Sequence, residues 1–324
     1  MPVFEMPLPQ LLTYKGTNPR PDDHQEYWER AKKQMHALGT ACELVPAAFK
    51  APNVDCFDLW FTGVGGARVY AKLLLPRHAE KSPALLRFHG YSGDSGDWMH
   101  HLAYAQAGFV VAAMDCRGQG GKSQDVGGVL GNTLNGQIIR GLSDPDPDKM
   151  LTRALFLDTA QLARIVMDLP QVDETRVGAT GGSQGGALTL ACASLEPRIN
   201  RLAPVYPFMC DYQRVWNMDL AVAAYNELRD YFRRFDPQHK REQEIFTKLG
   251  YVDLQHLACR IRGETLLCVG LMDTICPPST QFAAYNRITA PKRYELWPDF
   301  AHEGLPGCDD MIFTFMSLMQ HQTD

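Results

Sequence analysis

The chain has 324 residues, of which 45% are hydrophobic and 21% charged. That balance supports a large buried core and excludes a disordered or fibrous chain. Against 37 acidic side chains stand 32 basic ones, a net charge of −5, so no phosphate-neutralising surface and no nucleic-acid partner is expected. No apolar run approaches the ~18–20 residues that cross a bilayer, so no membrane partner is expected either.

The N-terminal stretch MPVFEMPLPQ has Glu5 and three prolines and no basic segment leading into an apolar one. It does not read as a secretory leader, and a cytoplasmic protein is expected. Its apolar side chains (Phe4, Met6, Leu8, Leu11, Leu12 and Tyr14) predict an arm that lies on its own core or on a neighbouring subunit. A charged helix over Gln25–Leu38 follows, and residues 1–56 read together as arm and helix. Phe57–Thr62 and Arg68–Leu75 flank Gly63-Val64-Gly65-Gly66 and predict a hairpin.

From there short apolar runs alternate with helical stretches. Strands are predicted over Ala84–His89, Val110–Met114, Arg176–Thr180, Leu202–Tyr206, Thr265–Val269 and Arg293–Trp297. Helices are predicted over Met99–Ala107, Thr152–Leu169, Gln184–Leu195 and Ser279–Ile288. This alternation implies right-handed crossovers and a mostly parallel, twisted sheet with helices on both faces, in a single domain spanning 1–324. Two segments break the rhythm. Gly118–Pro147, rich in Gly, Asp and Asn, reads as a long loop with a functional or interfacial role. Residues 211–262, helical, charged and aromatic, read as a helical cap inserted between two strands.

The chemistry concentrates at Gly181-Gly182-Ser183-Gln184-Gly185, a G-x-S-x-G run with a strand before it and an apolar helix after it. A serine on such a turn is forced into a strained conformation and projects its hydroxyl from the carboxyl end of the sheet. Only small residues fit two positions either side, which Gly181 and Gly185 satisfy. A hydroxyl is a weak nucleophile until a base takes its proton, and the base needs an orienting acid. In the α/β-hydrolase order these follow the serine as acid, then histidine, after late strands. Asp273 follows Thr265–Val269 and His302 follows Arg293–Trp297, so Ser183, Asp273 and His302 are the expected catalytic set. Asp299 and Glu303 compete for the acid role, but a neighbour of the base in sequence reaches its far nitrogen poorly. Two amides must hold the oxyanion, and Gln184 N–H and Tyr91 N–H are expected to do so. Each is worth ~3–4 kcal/mol in the transition state. His89 is expected to hold the oxyanion loop rather than to serve as a second base. Trp98, Pro207 and Phe208 are candidates for the wall of the acyl pocket.

His89-Gly90-Tyr91, Arg117-Gly118-Gln119-Gly120, Gly181-Gly182-Ser183-Gln184-Gly185 and His302-Glu303 together resemble the acetyl xylan esterase/cephalosporin C deacetylase family, carbohydrate esterase family seven. The resemblance spans nearly the whole chain. It implies an α/β-hydrolase that removes acetyl groups from small esters, among them acetylated xylo-oligosaccharides and cephalosporin C, through an acetyl-enzyme on Ser183. It also implies a cytoplasmic homohexamer, and it gives Arg117 and Gln119, with His89, Gly90, Gly181 and Gly185, structural roles near the site.

Other features carry less. The nine cysteines (42, 56, 116, 192, 210, 259, 268, 276 and 308) form no C-x-x-C pair and read as buried small hydrophobes in a reducing compartment, with no structural metal. Gly121-Lys122-Ser123 is not a phosphate loop, because Cys116 stands where the first glycine is required. Asp144, Asp146 and Asp148 alternate with prolines as a polar loop. Arg229, Arg233, Arg234, Lys240 and Arg241 read as a solvated or interfacial helix face. No cofactor is expected. Two rival readings are an oligopeptidase-like serine peptidase and a non-catalytic hydrolase-fold binding protein. The first is short of a large N-terminal gating domain, and the second leaves an intact triad unexplained.

Overall fold

The computed structural model describes residues 5–77, 81–126 and 136–320. Phe4 of the arm and residues 127–135 of the long loop lie outside them. Nine strands form one sheet: β1 (Cys42–Pro46), β2 (Val54–Thr62), β3 (Arg68–Pro76), β4 (Ser82–Phe88), β5 (Val110–Met114), β6 (Val172–Gly182), β7 (Arg201–Val205), β8 (Glu264–Gly270) and β9 (Lys292–Trp297). Their order is β1-β2-β3-β5-β4-β6-β7-β8-β9. The first three strands pair antiparallel and β3 joins β5 antiparallel, while every pair from β5 to β9 is parallel.

The helices are α1 (Leu8–Leu11), α2 (His24–His36), α3 (Leu102–Gln106), α4 (Leu151–Met167), α5 (Gln184–Leu195), α6 (Tyr212–Asn217), α7 (Asn226–Phe235), α8 (Glu242–Leu249), α9 (Leu254–Leu257), α10 (Pro278–Tyr285) and α11 (Cys308–Ser317). They cover both faces of the sheet because its strands are apolar on both. Leu73, Leu86 and Ala112 enter one core with α4 and α5, and their neighbours Leu74, Leu85 and Val111 enter another with α3 and α11. That is the period-two alternation of a doubly covered sheet. All five residues of β5 are buried. Every residue of α5 is buried too, so α5 is covered all round rather than amphipathic, its few polar side chains (Gln184, Thr189 and Ser194) included.

The strand order reverses at β4, which has β5 on one side and β6 on the other. The carboxyl ends of β4 and β6 therefore open a crevice at the switch point, where ligands bind in open α/β sheets. Phe88 pairs with Gly181 there, which sets the loop after β4 beside the turn after β6. The expected cap is present as α6 to α9 between β7 and β8.

The arm packs on its own chain. Leu11 is buried with Leu267, Val269 and Phe282, and the Glu5 carboxylate accepts from Ser279 N at 2.8 Å and pairs with Arg214 at 3.2 Å. Tyr14 donates its hydroxyl to Asp211 at 2.7 Å. Two predicted elements differ from those found. The segment assigned wholly to arm and helix contains β1, an edge strand whose exposed residues carry no alternating signal. The helix predicted over Met99–Ala107 is a 3₁₀ turn, Trp98–His101, followed by α3. Asp97 and His100 cap each other reciprocally and tighten its first turn.

Candidate active site

Ser183 caps α5 at φ 58° and ψ −118°, a left-handed conformation that costs a side chain of its kind ~1–3 kcal/mol and persists only when the surroundings enforce it. The enforcement is steric. A Cβ at Gly181 would stand 2.4 Å from the Phe88 carbonyl oxygen, and one at Gly185 2.1 Å from the same atom. At Gly186 it would meet Val205 O at 2.7 Å. The turn is also tied on both sides: Ser183 N donates to Val205 O at 3.0 Å and Phe208 N donates to Ser183 O at 3.1 Å. The serine sits at the amino end of α5, where developing negative charge is favoured.

Three loops from distant parts of the chain meet at that serine. His302 Nε2 lies 3.0 Å from Ser183 Oγ, and His302 Nδ1 lies 2.8 Å from Asp273 Oδ2. Asp273 is fully buried, and its other oxygen accepts from Ile275 N and Cys276 N, both at 2.8 Å. Those two amides fix the carboxylate so that one oxygen is left to face the imidazole. Of the rival acids, Asp299 is exposed to solvent. Glu303 turns back to accept from Ala301 N at 3.0 Å. Tyr206, at φ 32°, lays its ring 4.6 Å from the His302 ring. Burial pushes its hydroxyl up to about 12, so it is a neutral wall and not a second base.

The loop after β4 is held by side chains on its inner side. His89 Nε2 accepts from Cys116 N at 2.9 Å, so its Nδ1 carries the proton and donates to Gly90 O at 2.7 Å. Burial lowers its pKa, which keeps the ring neutral in this bridging role. Gln119 joins both halves of the crevice. Its Oε1 accepts from Ser92 N at 2.8 Å, and its side chain exchanges two 2.9 Å hydrogen bonds with that of Gln184. Tyr91 N has no acceptor among the described residues. Gln184 N, first in its helix, has none within it. Beneath them the Arg117 guanidinium makes two hydrogen bonds to the buried Asp158 carboxylate, at 2.7 and 2.6 Å, and one to Val64 O at 3.0 Å.

Of the pocket candidates, Phe208 meets the Tyr91 ring edge-on at 5.9 Å and is buried against Tyr225. Pro207, buried, sits one residue before it. Trp98 is not brought to them. It stacks on Phe49 at 6.0 Å, with the Lys72 ammonium over its ring, half-buried against the core on the α3 and α11 side. The sequence reading missed Asp158, whose partner Arg117 was named without it, and Cys276. The Cys276 thiol is fully buried beside Ser183, within reach of Asp273 and His302. Neither had a local signal, since a buried Asp in a helix and a Cys in a loop look unremarkable in one dimension.

A serine on an enforced turn, an imidazole between it and a buried carboxylate, and two free amides beyond define a serine hydrolase site on an α/β-hydrolase fold. The family profile described as acetyl xylan esterase (AXE1) matches residues 1–319, and the chain belongs to that family. Acetyl xylan esterase 1 from a Thermoanaerobacterium species superposes with TM-score 0.96 at 57% identity, over 97% of this chain and 99% of that one. An acetyl xylan esterase from a Paenibacillus species superposes at 0.90 with 33% identity, over 97% and 99%. In sequence, the acetyl esterase Axe7A of Xylanibacter ruminicola is 27% identical over 303 residues. This chain, 91% of it aligned, spans 66% of that protein's length. The acylaminoacyl peptidase of Pyrococcus horikoshii shares the fold alone, with TM-score 0.57 at 17% identity over 84% of this chain and 42% of that one. Among the described residues no helix is long and apolar enough to cross a membrane.

Proposed function

We propose that this protein is a serine carboxylesterase that removes acetyl groups from small esters. The observation that carries the reading is Ser183 Oγ 3.0 Å from His302 Nε2, with Asp273 2.8 Å from the opposite ring nitrogen. Ser183 Oγ attacks the acetyl carbonyl as His302 takes its proton, and Asp273 stabilises the imidazolium formed. The carbonyl oxygen gains the electron pair and is held by Tyr91 N–H and Gln184 N–H. The C–O bond to the alcohol then breaks and His302 returns the proton to the leaving oxygen. Water, deprotonated by the same imidazole, attacks the acetyl-enzyme and releases acetate.

Tyr91 and Phe208, with Pro207, form a short apolar wall suited to a methyl group, and each misfitted methylene costs ~1–3 kcal/mol. Acetylated xylo-oligosaccharides and the acetoxymethyl group of cephalosporin C are the proposed substrates, supported by the acetyl xylan esterases this chain resembles. Nine unpaired cysteines, seven of them buried, favour a reducing, cytoplasmic compartment. A homohexamer built from this single domain is the proposed assembly, resting on the family likeness. Reaction with a fluorophosphonate followed by intact mass tests the reading. One adduct, located on Ser183 and matched by loss of p-nitrophenyl acetate hydrolysis, supports it. An unlabelled serine in folded protein contradicts it and favours a non-catalytic binding role. Faster turnover of a peptide anilide than of the acetyl ester would favour a peptidase.

A further inference from the structure

Cys276 takes no part in the reaction above, yet its thiol is buried among the groups that do. One ligand atom from each of Asp273, Cys276 and His302 lies within 4.8 Å of the other two, and no other group of this kind occurs among the described residues. A carboxylate oxygen, an imidazole nitrogen and a thiolate are the donor types that zinc takes, at ~2.0–2.3 Å in a tetrahedral shell whose donors stand ~3.3–3.8 Å apart. No pair of these donors needs to close by more than about 1 Å, and Asp273 Oδ2 and His302 Nδ1, now 2.8 Å apart, part by about 0.5 Å to admit an ion between them. Each hangs from a backbone that is already fixed, Asp273 and Cys276 on the same turn through the Cys276 N to Asp273 Oδ1 bond at 2.8 Å. The fourth position falls toward Ser183, whose hydroxyl interacts with the thiol and lies 3.0 Å from the imidazole.

We propose that Asp273, Cys276 and His302 form an inhibitory site for a thiophilic divalent cation, zinc or its d¹⁰ relatives, inside the catalytic centre. The ion replaces the thiol proton, which leaves to solvent, and bonds to the resulting thiolate. If it takes His302 Nδ1, the ring proton moves to Nε2 and the imidazole faces Ser183 as a donor. If it takes Nε2, the base is covered outright. In both cases no lone pair remains to accept the serine proton. Hard cations gain little from a thiolate and an imidazole, so magnesium and calcium do not act here.

The inhibition rests on the role given to His302 in the proposed reaction, whereas the binding does not, and the test separates them. In metal-free buffer, zinc is titrated against p-nitrophenyl acetate hydrolysis by the full chain and by Cys276→Ala, Cys276→Ser and Cys259→Ala. Each variant is scaled to its own metal-free rate. Zinc inhibits the parent and the exposed-cysteine variant Cys259→Ala alike, reversibly by a chelator, and both Cys276 variants need about tenfold or more zinc for the same effect. In parallel Co²⁺ is added to Ser183→Ala, and to the same protein carrying Cys276→Ala. A thiolate-to-cobalt charge-transfer band appears in the first and is absent from the second. Equal zinc sensitivity in parent and Cys276 variants, equal inhibition by calcium, or no cobalt–thiolate band overturns the proposal. A band in Ser183→Ala together with an uninhibited parent leaves the site standing and removes His302 as the base.

Discussion

Gln119 and Gln184 face each other through two reciprocal amide hydrogen bonds of 2.9 Å, and the same Gln119 oxygen accepts from Ser92 N. The pair ties the two chain segments that carry the proposed oxyanion amides, Tyr91 on one and Gln184 on the other, into a single unit. Gln119→Ala leaves Ser183, Asp273 and His302 untouched but frees the Tyr91-Ser92 turn. We expect kcat to fall about 10- to 100-fold, short of the full loss of an oxyanion donor, with KM changing little. Steady-state kinetics on an acetyl ester, alongside unchanged fluorophosphonate stoichiometry, checks this. A variant with parental kcat would show that the turn holds itself.

Arg117 and Asp158 are both buried, at 2% and 1% side-chain exposure, and are joined in the bidentate geometry that only arginine makes. Arg117→Ala strands an unpaired carboxylate, and a loss of about 3–5 kcal/mol in unfolding free energy is expected from urea melts. Arg117→Lys recovers little of it. Replacing both residues with apolar ones of similar volume costs less than either single truncation.

The glycines around the site are not equivalent. Gly185→Ala places a methyl 2.1 Å from the Phe88 carbonyl oxygen, which is backbone and cannot turn aside, whereas a Cβ at Gly90 meets nothing within 4 Å. Gly185→Ala therefore costs roughly 3 kcal/mol or more and displaces Ser183. Gly90→Ala is expected to fold and turn over like the parent. Thermal melts and acetyl-ester kinetics on the two variants test the contrast.

The reading of the sheet from sequence succeeded where burial leaves a mark. Val110–Met114 and Gln184–Leu195 coincide with β5 and α5 because both are predominantly apolar and bounded by turns. β1 escaped because an edge strand with four exposed residues has no buried face to write a pattern. The site divides the same way. Ser183, Asp273 and His302 each follow a legible strand, so their positions could be read from topology. Asp158 and Cys276 reach the site from a helix interior and a loop, and only the packed chain shows what they touch. Trp98 shows the converse: close in sequence to the loop after β4, its ring stacks on Phe49 rather than on Tyr91 or Phe208.

Stability should fall in mild acid. Burial lowers His24 to about 3, and His101 and His256 to about 4. These folded values lie below the unfolded ~6.5, so between roughly pH 6.5 and 4 the unfolded chain binds more protons. The stabilisation is complete above pH 6.5 and is lost as pH drops through that window, by up to about 1.4 kcal/mol per pH unit for each ring. Glu227, raised by burial to about 6, and the buried Asp253, also raised, act in the opposite sense over part of the range. The lowered rings, which include His36 and His89, outnumber the raised carboxyls, Glu227, Asp253 and Asp158. Urea midpoints at pH 7 and pH 5 show the net fall, and His256→Gln shrinks its slope by about one ring's share. An unchanged midpoint would mean that the rings are hydrated in solution.

The direct test of the whole account is to catch the covalent intermediate. Mixing enzyme with excess p-nitrophenyl acetate and quenching in acid within one turnover, followed by peptide mass analysis, should show a single added acetyl group on Ser183. The adduct should be absent from Ser183→Ala, and its formation slowed by several orders of magnitude in His302→Ala. Acetate released at the parental rate with no acyl group on Ser183, or an acyl group on another residue, would contradict it.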